Sequence, residues 1–320
     1  MIQVLQWTRR GGGIRAGALA ISLLAFGACA DADRLGPPAE DLAPTAPASA
    51  AAAAPAGIVF ASFGMEPSEL NSVHTGSVRV ISPSGLLTYL AQVRAKGGRV
   101  LIALAGGDRN LRNDDGTFSL TKWKAMLDRY RNVNFSSYIA DGTIVGHYLI
   151  DEPHFTSRWG GQAIPQSTVE EAAKYSKQLW PTLTTIVNAP LNWLAASSIS
   201  YTSLDAGWAM FRAGASSSPS TWAANQVTKA KKKGLGVFAG LNVLDGGNGS
   251  SGFHGNLPSR WAMSADELRS YGSALLSQSY VCGFAMWTYS PAYYGRPDVK
   301  SAMAELSTLA RNHARTSCRQ

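Results

Sequence analysis

Two adjacent carboxylates stand where an apolar run stops, in Gly146-His147-Tyr148-Leu149-Ile150-Asp151-Glu152-Pro153-His154. Ionised groups at the end of a buried segment are costly to desolvate, so their presence there points to acid–base work. Other polar and aromatic residues end apolar runs in the same way: Asp108, Asn188, Asn242 and Asp245, with Trp208 within a run and Trp287 and Tyr289 at the close of another. Carboxylates, amides and aromatic rings gathered on one face suit the recognition of polyhydroxylated rings. Tyr148, two residues before Ile150 on the same strand, is a further candidate for contact with a substrate. The competing reading of the pair is structural: Asp151 and Glu152 cap a loop or pair with Arg158. Asp245-Gly246 can equally be a turn, and Asp108 a helix cap.

These residues converge only if the runs that carry them are strands of one sheet. Strand-like runs cover residues 57–62, 78–81, 99–105, 143–150, 183–187, 204–210, 236–241 and 281–288. Helical spacing covers 84–96, 120–138, 168–179, 221–233, 265–276 and 299–314. Ser167 is expected to cap the third of these helices, with Glu170 three residues on, and Ser264 the fifth. Strands alternating with helices imply a parallel sheet with crossover helices. Eight strands in about 260 residues predict a single (β/α)8 TIM barrel, whose strand ends share one face. An open doubly wound sheet is the competitor, and no Gly-x-Gly-x-x-Gly turn follows the first strand.

In such a barrel the last strand climbs about 23 Å and the last helix descends about 24 Å. Cys282 and Cys318 should therefore meet at the floor, and a disulfide between them is expected. Strand geometry also constrains the acidic pair. Adjacent residues of a strand face opposite ways. If Glu152 points into the mouth with Ile150 and Tyr148, Asp151 faces the helices unless the strand ends or bulges there. Pro153 makes an ending plausible.

The 320 residues include 45% hydrophobic and 16% charged ones, a core-forming composition. Residues 1–28 carry Arg9, Arg10 and Arg15, then an apolar run from Ala16 to Phe26 that is too short to span a bilayer, and read as a signal peptide. Thr8-Arg9-Arg10 faintly resembles a twin-arginine signal. Phe26-Gly27-Ala28-Cys29 resembles a bacterial lipoprotein cleavage box, with Cys29 as the lipidated residue. Residues 29–56 form an Ala/Pro-rich linker, and 57–320 the barrel domain. Localisation is expected in the bacterial cell envelope or outside it, with the membrane reached only through the lipid anchor. The formal net charge is +8; without the three leader arginines, 26 basic residues face 21 acidic ones, or +5. Lys229, Lys231, Lys232 and Lys233 concentrate that excess at one helix end, which is not the aromatic-interleaved face that nucleic acid requires. His154 and His254 lack ligand-spaced partners, so no metal and no cofactor are expected. No Gly-x-Ser-x-Gly elbow points to a serine hydrolase. The chain is expected to act as a monomer.

The stretch from Gly146 to Pro153 resembles the fourth strand of the TIM-barrel glycoside hydrolases. In that superfamily the Glu before a Pro at this strand end is the general acid/base, which implies that role for Glu152. The residue before it in the large clan is Asn; here it is Asp151. The clan's nucleophile is a Glu ending strand seven, whereas Gly236-Val237-Phe238-Ala239-Gly240-Leu241-Asn242 has none. Val100 to Gly107 is similar to the third strand of chitinase-like hydrolases, and Gly283-Phe284-Ala285-Met286-Trp287 to their eighth, whose Trp floors the sugar site. An adjacent Asp-Glu pair is like that of the hexosaminidases, where Asp supports the substrate's own acetamido group. The resemblance implies a glycosidase acting on a polysaccharide or glycoconjugate. Asp151 and Asp245 remain the candidates for the second group, and Trp287 with Tyr289 for a stacking platform. The alternative is a carbohydrate-binding barrel without catalysis.

Overall fold

A computed structural model describes residues 56–314 and 317–319. The expected leader, Cys29 and all but the last residue of the linker lie outside the described residues. Eight parallel strands close in sequence order: β1 (Phe60–Phe63), β2 (Gly76–Val80), β3 (Arg99–Ala103), β4 (Ile144–Asp151), β5 (Thr185–Asn188), β6 (Ala206–Phe211), β7 (Gly236–Asn242) and β8 (Val281–Trp287). The fold is a single (β/α)8 TIM barrel. Its helices are α1 (Pro83–Ala95), α2 (Leu120–Asp128), α3 (Ser136–Ala140), α4 (Gln166–Leu179), α5 (Leu191–Ala196), α6 (Pro219–Lys233), α7 (Ala265–Leu276), α8 (Pro291–Tyr294) and α9 (Pro297–Arg311).

Two buried clusters divide the apolar residues. One draws on both strands and helices and fills the space between barrel and outer ring. The other takes residues such as Ala61, Val78, Leu101, Tyr148, Ile186, Trp208, Phe238 and Ala285 from all eight strands and is the barrel interior. Large rings fit there because glycines face them. A Cβ on Gly283 would lie 2.2 Å from the Phe238 ring, and one on Gly240 would lie 2.4 Å from Trp208 Nε1. Bulk and absence of bulk on neighbouring strands thus make one packed layer, as close packing demands.

The floor is held by the Cys282–Cys318 disulfide, as the barrel geometry predicts. Its sulfur lies against the start of β7, where a Cβ on Gly236 would meet Cys282 Sγ at 3.2 Å. The bridge spans 36 residues of sequence, a loop whose closure removes about 4 kcal/mol of unfolded-state entropy in a chain-entropy treatment.

Several boundaries differ from the sequence expectation. The helix read over 120–138 breaks after Asp128, and the Asn134 side chain accepts from Ser136 N at 3.2 Å to restart it as α3. Helix α4 begins one residue before Ser167, with Pro165 as its cap and no side-chain cap bond. Glu170 is not part of a capping box. Its carboxylate instead accepts from Thr202 N at 2.8 Å, Ser203 N at 2.7 Å and Leu204 N at 3.0 Å, fastening the segment before β6. Ser264 does cap α7, in a full capping box with Glu267. Helices α5 and α8 lie outside the runs of helical spacing.

Candidate active site

Strands β4 and β5 end level with each other, with Asp151 paired to Asn188. The register slips between Tyr148 and Asp151. This bulge corrects the regular-strand expectation. Ile150 joins Leu149 in the outer cluster, while Asp151 turns to the side of Tyr148, whose phenol donates to Asp151 Oδ1. Asn188 Nδ2 donates to the same oxygen at 2.7 Å.

The next residue bends further. Glu152 has φ +45°, a backbone region in which a side chain costs on the order of 1–3 kcal/mol and which persists only where its surroundings enforce it. Here they do. Glu152 N donates to Asn188 O at 3.1 Å, and Glu152 O accepts from Phe155 N at 3.1 Å and from Trp159 Nε1 at 3.2 Å. Buried Pro153 follows.

One guanidinium joins three carboxylates. Arg158, in the turn of 3-10 helix Thr156–Arg158, places Nε 2.7 Å from Asp108 Oδ2 and Nη2 2.7 Å from Asp151 Oδ2. Its Nη1 pairs with Glu152 Oε2. Arg112 stands farther off, 4.0 Å from Asp108. The structural alternative of the sequence reading is therefore realised as far as Arg158 is concerned. The pairing does not silence Glu152, because one cation serves three anions. Burial, then the negative charge of Asp151, pushes the Glu152 carboxyl up to about 7, with Asp108 adding to the rise and Arg158 opposing it. Burial also raises Asp108, against the pull of Arg158. Burial works against the charge on Arg158, but Asp151, Asp108 and Glu152 outweigh it and hold the guanidinium protonated. Tyr148 is pushed well above the ordinary phenol range by burial and by Asp151, so it is a neutral donor.

Asp151 is thus saturated: Oδ1 receives two hydrogen bonds and Oδ2 an arginine. Glu152 carries the carboxyl group that can exchange a proton near neutrality.

The remaining sequence candidates form other groups. Trp287 ends β8 level with Asn242 of β7, and its ring lies 4.5 Å from that of Phe63 at the end of β1. The peptide linking Trp287 to Thr288 is cis. Tyr289 donates to Glu69 Oε2 at 2.7 Å and lies 5.0 Å from the Tyr294 ring. Asn242 Oδ1 accepts from Asp245 N at 3.0 Å, and Asp245 Oδ1 accepts from Leu257 N at 2.8 Å. Asp245 is therefore built into the loop after β7, and among the described residues it makes no ion pair. Trp208 is 1% exposed, T-shaped against Tyr148 at 5.4 Å and Phe238 at 5.9 Å. Trp208, a candidate for substrate contact in the sequence, lies in the barrel's interior packing. Among the described residues, no group of three His, Cys, Asp or Glu side chains is arranged to hold a metal ion.

The sequence pattern ends the first strand at residue 62 and so leaves out Phe63, which closes β1, and it carries no signal for Trp159, whose indole donates to the Glu152 carbonyl. Trp159 also lines a cavity of about 230 Å³ with Phe118, Ile164 and Pro165. No strand-end carboxylate lines that cavity.

No protein-family model matches the sequence, and no curated protein matches it. Solved structures do share the fold. A beta-glucanase from Saccharophagus degradans superposes with a TM-score of 0.57 at 11% identity, over 80% of this chain and 89% of its own. The catalytic domain of the major endoglucanase from Xanthomonas campestris pv. campestris gives 0.50 at 14%, over 79% and 94%. An endocellulase from Pyrococcus horikoshii, in complex with cellotetraose, gives 0.51 at 10%, over 79% and 92%. At these identities the likeness is one of fold.

Proposed function

We propose that the protein is a glycoside hydrolase acting on a polysaccharide or glycoconjugate, with Glu152 as the general acid. One observation carries this reading. At the end of β4 a strained, tightly held residue presents a carboxyl group whose proton affinity burial and Asp151 raise to near neutrality. A general acid works best when its pKa lies near the working pH, and raising a carboxyl by burial is how enzymes reach that condition. The glucanases and cellulases that share the fold support the substrate class. Asp151 is the orienting anion: it fixes Arg158 and raises its neighbour's proton affinity, and its oxygens are too fully bonded for attack on an anomeric carbon. Asp245 serves its loop in the same way. The anomeric carbon is then left to water or to a neighbouring group of the substrate itself. Trp287 with Phe63 forms the stacking surface on the β8–β1 side.

The experiment is product release from a fixed panel: β-glucan, cello-oligosaccharides and oligosaccharides of N-acetylglucosamine. Turnover confined to the N-acetylated sugars assigns the second role to the substrate's acetamido group. Binding without release from any of them leaves the second reading, a non-catalytic carbohydrate-binding barrel. The observation that favours that reading is the end of β7, where Asn242 stands in place of a carboxylate.

We further propose that the chain is exported, lipidated at Cys29 and monomeric, with residues 29–56 as the tether. The leader and the lipoprotein-like box support this, and the Cys282–Cys318 bridge suits an oxidising compartment. Labelled fatty acid is expected to enter the wild-type chain expressed in bacteria and not the Cys29→Ser variant. Equal labelling of both would sink the anchor.

A further inference from the structure

The loop that follows Glu152 carries an aromatic side chain that the fold does not need. Phe155 is 47% exposed, and every other Phe, Trp and Tyr among the described residues is buried or half-buried. It sits at the site itself, since Phe155 N closes the turn onto Glu152 O at 3.1 Å. Its ring lies 4.3 Å from that of His154, and His154 lies 5.9 Å from Trp193 on α5. The three rings make one surface across the loops after β4 and β5. It holds a polar atom: His154 Nδ1 is buried and has no hydrogen-bond partner. Burial brings the His154 pKa down to about 4, so at neutral pH the imidazole is uncharged.

Strand order places this surface. In the closed ring β1 to β8, the β4–β5 edge lies four strands from the β8–β1 edge that carries Trp287 and Phe63. The two aromatic surfaces therefore stand on opposite sides of the mouth, with the Asp151–Glu152 pair beside one of them.

We propose that Phe155, His154 and Trp193 form a second stacking subsite, taking a pyranose unit of the glycan on the side of the mouth opposite Trp287. This rests on the carbohydrate reading and deepens it. A ring stacked on Phe155 turns its apolar face to the phenyl group, beside the uncharged His154 ring. Binding sites of this kind combine aromatic walls with a few polar groups that fix orientation. With one surface beside Glu152 and the other across the mouth, the substrate is a chain long enough to span the mouth. A single terminal sugar would leave one surface empty.

The test measures calorimetric affinity for six-unit cello-oligosaccharides and N-acetylglucosamine oligosaccharides in the Glu152→Gln background, which separates binding from turnover. Adding Phe155→Ala is expected to weaken the six-unit ligand about tenfold at unchanged Tm, and Phe155→Trp to restore it. Equal affinity with and without Phe155 overturns the subsite and leaves the hydrolase reading standing. Weakened binding in a protein whose wild type releases no product supports the subsite and overturns hydrolysis. If neither oligosaccharide binds the Glu152→Gln chain, both fall.

Discussion

Glu152→Gln is expected to lower kcat/KM on the cleaved glycan by about a thousandfold or more while leaving the barrel folded. Loss of a positioned proton donor removes roughly 10²–10⁴ in rate, and Asp151, bonded at both oxygens, has no free position from which to replace it. The fold survives because glutamine keeps the shape and an oxygen for Arg158. Its backbone bonds to Asn188, Phe155 and Trp159 do not involve the side chain. Stability carries a second sign. The folded-state pKa of Glu152, about 7, lies above the ordinary 4.5. Its contribution is therefore fully present below about pH 4.5 and is lost as pH rises through about 7. Glutamine never ionises. The variant should melt on the order of 2–4 °C above the wild type at pH 8, and the difference should vanish below about pH 4.5. Residual turnover within tenfold of wild type would contradict the assignment.

The second large effect belongs to Arg158. Its side chain is 28% exposed, and its guanidinium is the shared partner of Asp108, Asp151 and Glu152. Removing one side of a buried ion pair costs about 3–5 kcal/mol, because charges are left uncompensated. Partial exposure at this site reduces that to roughly 2–3 kcal/mol. Arg158→Gln should therefore be markedly less stable at neutral pH. Adding Asp108→Asn, which removes one of the stranded anions, should recover part of the loss. Arg158 opposes the rise of the Glu152 pKa, so its loss raises that pKa further. The alkaline limb of activity should move to higher pH in the variant. Lysine should rescue incompletely, since one ammonium cannot present three nitrogens in a fixed fork. A variant with wild-type Tm and pH profile would show that the cluster is not what holds the site.

The two effects concern residues of unequal legibility. Glu152 was readable because an apolar run, two carboxylates and a proline follow one another without a gap, and the barrel that presents them follows from alternation of strand and helix. The facing of Asp151 was not. A period-two strand turns it outward, and the slip after Tyr148 that turns it in arises from pairing with β5, which no local pattern records. Arg158 could be weighed as a partner for the acidic pair, but its bond to Asp108, fifty residues earlier in the chain, exists only once β3 and β4 lie side by side. Trp208 looked like a strand-end aromatic. Gly240 and Gly283 show why it and Phe238 are interior instead, since only missing Cβ atoms make room for the rings. Phe155 was the opposite case: an aromatic beside the acid that only its exposure reveals as unneeded for packing.

The pH dependence of kcat/KM for the wild-type chain on a cleaved member of the panel tests the role of Glu152 most directly. If the proton of Glu152 is what reaches the leaving oxygen, activity should fall about tenfold per pH unit above an apparent pKa of about 7, and Arg158→Gln should shift that limb upward. A profile that stays flat from about pH 5 to 9, or that rises through neutrality as though a deprotonated group were required, would contradict Glu152 as the acid.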